Sequence, residues 1–467
     1  MKKLIILALI AGICIPLLAR TREFYYLSSL IIAGTLFFSI KKKSMTLIDF
    51  LILFLITIPL HTFRFGGTEH FIRLSEIAFV PLFLFWVMTR LLNKDEEPVV
   101  IRKEFILLAF YLLINIISAK NSMLPMISVK RILILAYLFL FTYMISVIIN
   151  KKEKLIAIIK ATLWISSISS IIAAIQSVFP QFIIFQSVPI GTAFGITFYR
   201  AGVGWHDPNY YALYLAMNAC LTLSLLLADY GKKYRLLKIC FALQIIGIIA
   251  TFSRTAMISI VLASLYLLIF YGRRKIALTV FLSAIIALSI AVSSVAIIYK
   301  KYPLLASTVY RVAEKEQLVK QPTLITGHRY AAFKANWAMF LDHPILGVGP
   351  FMAMYAFNKY KPFGYDYPNE QLASHNQYLQ LLSEKGIFGF IIFLGFIFIM
   401  IKNINRFIKY LPPGNEYKAL LLGFKSAIFV YLISSLVLET SYELQFWLII
   451  GLSMALLNII KKEHVNA

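Results

Sequence analysis

Apolar blocks of sixteen to twenty-four residues alternate with short charged clusters along most of the chain. A helix needs about 20 apolar residues to cross the hydrocarbon core of a membrane. The blocks near 4–19, 24–40, 46–62, 74–92, 104–119, 132–149, 155–178, 209–228, 236–252, 255–271, 276–298, 386–401, 418–438 and 443–460 therefore predict 14 spans. The first two are short, so 12 full crossings with an irregular N-terminal pair fit the pattern nearly as well. Either even number leaves both termini on one side. Leu4 to Ala19, behind Met1-Lys2-Lys3, has the form of a signal peptide but reads as an uncleaved anchor. The expected fold is an all-α polytopic membrane protein of about 12–14 helices, capped by a large helical extracytoplasmic loop.

Two polar segments are too long for simple turns. Residues 179–208 are aromatic and glycine-rich, ending in YRAGVGWHDPNYYA. Residues 299–385 form a second island, in which Tyr330 to Leu341 predicts an amphipathic helix with Phe333, Trp337 and Phe340 at helical spacing. Asp342-His343-Pro344 stops that helix and LGVGPF supplies a glycine turn. The chain thus divides into an N-terminal bundle (1–298), an extracytoplasmic loop region (299–385) and C-terminal spans (386–467). A long ordered loop of this kind is expected to be functional.

Composition agrees with the pattern. Of 467 residues, 60% are hydrophobic and only 14% charged, which excludes a soluble globular protein. The net charge of +25 would suggest nucleic acid in a soluble chain, but its distribution points elsewhere. Assigning loops alternately from a cytoplasmic start places 24 cations inside and 9 in the short outer loops. The positive-inside rule then puts both termini in the cytoplasm and the two long loops on the extracytoplasmic face. The surplus serves topology and contact with anionic membrane lipids, and no nucleic-acid partner is implied. Cys14, Cys220 and Cys240 fall in apolar blocks without metal-ligand spacing and read as small hydrophobes.

The outer face gathers Arg200, His206, Asp207, Arg254, His328, Arg329 and His375. Arg254, in TFSRTAM, lies between two apolar blocks with almost no loop. An arginine there either snorkels to headgroups or binds phosphate through its planar fork. His375, in SHNQ, precedes a block that re-enters the membrane; its imidazole either caps or takes a proton from a hydroxyl near neutral pH. His343, beside Pro344, reads as structural. No HxxxH, HExxH or DxD pattern indicates a metal, no GxxxxGK[ST] indicates nucleotide hydrolysis, and no GxSxG elbow is present. No cofactor is expected.

These residues carry a resemblance. In SHNQYLQLLSEKGIFGF, nine residues separate His375-Asn376 from Gly386-Ile387-Phe388-Gly389. This spacing resembles the hallmark of the bacterial O-antigen ligase and O-antigen polymerase superfamily. GHRYAAFKANWAMFLDHPILGVGPF, FSRTAM and HDPNYYA resemble further motifs of that family, so the likeness covers roughly residues 195–400. Phe390 stands where the ligases often have threonine. The resemblance implies a metal-independent, inverting glycosyltransferase of the cytoplasmic (inner) membrane with its active site on the periplasmic or extracytoplasmic face. Its donor would be a glycan on undecaprenyl diphosphate. Arg254 and Arg329 would bind the diphosphate and His375 would activate or orient the acceptor hydroxyl. Arg200, His206, Asp207, Asn376 and Glu439 would stand around them.

Two reactions compete within the family. A ligase moves the glycan onto lipid A-core, and the intact His-Asn…Gly-x-x-Gly spacing favours it narrowly. A polymerase joins lipid-linked repeat units into O-antigen, capsule or exopolysaccharide. A lipid-linked oligosaccharide flippase is more remote, because transporters carry charges inside their spans and internal repeats, and here charge pools on one face.

Overall fold

The computed structural model describes residues 46–60, 64–65, 72–92, 103–179, 188–193, 196–205, 207–230, 236–283, 327–363, 365 and 371–465. Its helices are α1 (Leu47–Ile56), α2 (Leu74–Leu92), α3 (Lys103–Ser118), α4 (Pro125–Ile148), α5 (Lys152–Val178), α6 (Pro208–Leu227), α7 (Leu237–Ala250), α8 (Arg254–Phe270), α9 (Gly327–Asp342), α10 (Ala353–Tyr360), α11 (Gln377–Tyr410), α12 (Glu416–Ser434) and α13 (Leu444–Val465). A further helical stretch covers 274–283. Eight of these (α2 to α6 and α11 to α13) are long and apolar enough to cross a membrane, and α1, α7 and α8 are shorter apolar helices. The protein is an all-α, multi-pass membrane protein. Each described helix of this set falls on an expected span, while 4–19, 24–40 and the part of 276–298 beyond 283 lie outside the described residues, as do 299–326 of the expected loop region.

Two small antiparallel hairpins interrupt the helical pattern: β1 (Arg64–Phe65) with β2 (Ile72–Arg73), and β3 (Val188–Ala193) with β4 (Ile196–Arg200). The second lies in the aromatic 179–208 segment, where the β-branched and aromatic run Ile196-Thr197-Phe198-Tyr199 suits a strand.

The bundle is organised around α6 and α13. In α13, 89% of the most apolar window is buried, against 22% in α2, which separates a central helix from a lipid-facing one. Helix α6 packs on α7, α8 and α12, α13 packs on α4, and α11 packs on α3. Polar side chains within the apolar core bond one another, as membrane interiors demand. Thr222 donates to Gln244 Oε1 at 2.9 Å, and Gln244 Nε2 donates to Ser166 Oγ at 2.8 Å, joining α6, α7 and α5.

Helix α11 is broken at Gly386, whose φ of 64° and ψ of −168° only glycine adopts comfortably. The glycine turn after α9 fills the break. Val348 N–H donates to Ser383 O at 2.8 Å, Gly349 N–H to Glu384 O at 3.1 Å, and Ile387 N–H to Pro344 O at 2.8 Å. A Cβ on Gly386 would lie 2.1 Å from Ile345 O, and one on Gly347 (φ 68°) 2.2 Å from Glu384 C. Backbone packs directly on backbone here. Gly386→Ala is expected to destabilise the protein by about 2 kcal/mol or more. Gly395→Ala, where an added Cβ meets nothing within 4 Å, should be neutral or slightly stabilising. Thermal unfolding of both variants in detergent checks this; equal midpoints would refute the interlock.

Candidate active site

One end of the bundle collects the starts of α6, α8, α11 and α13 and the ends of α7 and α12. Ala201 N–H donates to Ala250 O at 3.0 Å and Gln377 N–H to Ser435 O at 2.8 Å, tying the loops at this end together. Arg200, Asp207, Arg254, His375, Asn376 and Glu439 all stand in these loops or at these helix starts. Arg329 is the third residue of α9, which packs on α11. His206 and the side chain of His328 lie outside the described residues.

His375 occupies the left-handed region, with φ 49°. That conformation is uncommon for a residue with a Cβ and persists where its surroundings enforce it. Here Glu439 enforces it. Its Oε1 accepts from the backbone N–H of Ser374 and, at 3.3 Å, from that of His375. Gln377 Oε1 accepts the N–H groups of Thr440 and Ser441 at 2.6 and 2.7 Å, and Asn376 Nδ2 donates to Leu436 O at 3.0 Å. The 374–377 turn is thus bound to the α12–α13 loop, and His375 is half-buried just ahead of α11. Asn376 is the N-cap of α11, accepting from Leu379 N–H at 3.0 Å. Burial, with Glu384 nearby, raises the Glu439 carboxyl above the ordinary carboxylate range, and its hydrogen bonds from Ser374 and His375 oppose the shift.

The arginines form a second group at the same end. Arg200 Nε donates to Thr251 O at 3.0 Å and Nη2 to Asn209 Oδ1 at 2.9 Å. Asp207, the N-cap of α6, holds Asn209 through its N–H and Nδ2 at 2.8 and 2.9 Å. Burial lowers the Arg200 guanidinium below its usual range; Asp207 opposes this, while Arg254 and Arg329 push the same way. Arg254 and Arg329 therefore each lie near enough to Arg200 for their charge to act on it. Arg254 opens α8 and, like Arg329, is exposed; among the described residues no carboxylate forms an ion pair with either. Beside Arg254, the Ser253 hydroxyl is buried with no hydrogen-bond partner among the described residues, at the N-cap of α8. Three cations, a free hydroxyl and a helix N-terminus make a place for an anion.

Two features were not anticipated. Glu384 and Lys385 form an ion pair of 2.7 Å with both side chains 1% exposed, and Gln380 Nε2 bridges Glu384 Oε1 (3.3 Å) and Glu439 Oε2 (3.2 Å). In sequence this pair reads as loop charge before a span. The second is Glu443, 8% exposed immediately before α13. Burial raises its carboxyl from 4.5 to about 8, with Arg73 opposing and Asp207 adding to the rise. Among the described residues no three His, Cys, Asp or Glu side chains gather as metal ligands would. His343 pairs with Asp342 at 3.4 Å, in keeping with a structural role.

Between pH 4.5 and about 8 the folded state retains the Glu443 proton that the unfolded chain has released. Stability therefore falls as pH rises through that window, by at most about 1.4 kcal/mol per pH unit from this group. Glu443→Gln should raise the melting temperature relative to the parent at about pH 9 and much less at about pH 5. Parallel melting curves across that range would contradict the assignment.

Comparison with known proteins bears on this end of the bundle. No curated protein matches the chain. The family model described as O-antigen ligase matches residues 239–394, a segment holding Arg254, Arg329, His375, Asn376 and both glycines of the Gly-x-x-Gly. The match covers about a third of the chain and is a likeness of this segment to that family.

Proposed function

We propose that this protein is a metal-independent, inverting glycosyltransferase that moves a glycan from undecaprenyl diphosphate to an acceptor sugar hydroxyl on the extracytoplasmic face, with lipid A-core as the acceptor of an O-antigen ligase. The observation that carries the reading is the grouping of Arg200, Arg254 and Arg329 at the same bundle end as the constrained His375. A cluster in which Arg254 and Arg329 both bear on Arg200 is best satisfied by a multiply charged anion, and a diphosphate accepts planar guanidinium donors in pairs.

In the reaction the acceptor oxygen attacks the anomeric carbon and its proton passes to the His375 imidazole. The bond from that carbon to the phosphate oxygen breaks, and its electron pair stays on the departing lipid diphosphate. Arg254 and Arg329 stabilise the charge growing there, an electrostatic contribution worth most where water is scarce. Arg200, fixed through Thr251 and Asn209, sets the third corner of the anion site. The donor's own phosphoester bond supplies the driving energy, so no nucleotide site is needed. Glu439 holds the backbone that aims His375.

His375→Ala and Arg254→Ala are each expected to lower glycan transfer by about 100-fold or more, with membrane insertion and melting temperature retained. Purified protein given an undecaprenyl-diphosphate-linked glycan in EDTA, with and without lipid A-core, provides the assay. A single shift of the lipid A-core band supports the ligase. A ladder from the donor alone would replace it with the polymerase, and transfer by both variants at the parent rate would overturn the site.

A further inference from the structure

Helix α9 packs inward through small residues: the buried face carries Ala331, Ala332, Ala335, Asn336 and Met339. Asn336 Oδ1 accepts from Ser383 Oγ at 2.7 Å, fixing that face against α11. Small residues allow the close approach, and the outward face is left with Tyr330, Phe333, Trp337 and Leu341, each between 40% and 63% exposed. These positions, three or four residues apart, make one stripe. Lys334 is the single charge among them, its Nζ 5.6 Å from the Tyr330 ring.

A helix face turned to water is polar in a stable protein, and an aromatic stripe of this length implies an apolar partner. What that partner is follows from where the stripe leads. Beyond α9 comes Ile345, 58% exposed, whose backbone packs on Gly386; Pro344 O accepts from Ile387 N–H at 2.8 Å. The next residues of α11, Phe388 and Ile391, are 51% and 57% exposed on a membrane-spanning segment. The stripe is continuous with a lipid-facing surface. Tryptophan, tyrosine and a snorkelling lysine are also the residues that settle at the lipid–water boundary.

We propose that α9 is an interfacial helix, lying in the headgroup–acyl boundary of the leaflet on the His375 side with its Tyr330–Phe333–Trp337–Leu341 face in the lipid. Such helices bury their apolar face about 5–10 Å into that boundary. This inference does not depend on the transfer reaction. It does fix Arg329, at the helix start, at the depth where a lipid-linked phosphate presents itself.

The test uses the full chain in phospholipid bilayers, with Cys14, Cys220 and Cys240 replaced and a nitroxide placed singly at Phe333, Trp337 or Leu341. Labels at Phe388 and at Asn358 provide lipid and water references in the same preparation. The expected result is greater accessibility to oxygen than to a nickel chelate at all three positions, as at Phe388. Nickel-dominated accessibility, as at Asn358, would overturn the proposal. So would low accessibility to both, which would mean that another segment of the chain or a second copy covers the stripe. Should the labelled variants fail to fold, Trp337→Phe in the otherwise native protein is the second measurement. It should lower the fluorescence quenching caused by lipids brominated near the glycerol, and unchanged quenching would refute the placement.

Discussion

A helix broken inside a membrane protein leaves backbone donors and acceptors that no lipid can satisfy, and the break at Gly386 is the constraint on which this site depends. Ser383 O, Glu384 O and Ile387 N–H are all taken up by the 344–349 turn. The turn is itself held from the far side: Asn121 Nδ2 donates to Gly347 O at 2.8 Å, and Ser118 Oγ lies 2.6 Å from Leu346 O. Two glycines in left-handed conformations let the chains approach closely enough for this exchange. The break separates the first part of α11, at whose start the His375 N–H meets Glu439, from the long apolar part that follows.

Burying the Glu384–Lys385 pair beside that break is costly unless every lone pair is used. Gln380 meets this need by joining Glu384 to Glu439, so the ion pair and the His375 clamp belong to one network. The arginine group has the opposite character. Asp207 is spent on capping α6 and holding Asn209, which leaves Arg254 and Arg329 exposed and in excess of negative charge. One half of the bundle end is internally neutralised; the other carries an excess of positive charge. The proposed transfer, with a lipid diphosphate held by the arginines and an acceptor at His375, would use that division.

Much of this was legible in the sequence, for identifiable reasons. Span positions follow from uninterrupted apolar runs, and α2, α5 and α13 fall within a few residues of the expected limits. The sequence put Arg254 and His375 at the boundaries of apolar blocks, and the structure has them at, or just before, helix starts. The β3–β4 hairpin was not legible, since a glycine-rich aromatic segment suits a loop equally well. Nor was the clamp from Glu439, because a carboxylate accepting backbone N–H groups from a turn sixty-odd positions earlier leaves no local pattern. The orientation of α9 was not legible either, since periodicity marks an apolar face but does not say what will cover it.

The central claim is a division of labour, in which the arginines hold the donor diphosphate and His375 acts on the acceptor. It is tested most directly by titrating undecaprenyl diphosphate into the parent, an Arg254→Ala/Arg329→Ala double variant and His375→Ala, all in nanodiscs and without acceptor. The account predicts that the double variant loses affinity by about tenfold or more per arginine, while His375→Ala binds as the parent does. Parent-like binding by the double variant, or a loss confined to His375→Ala, would contradict it.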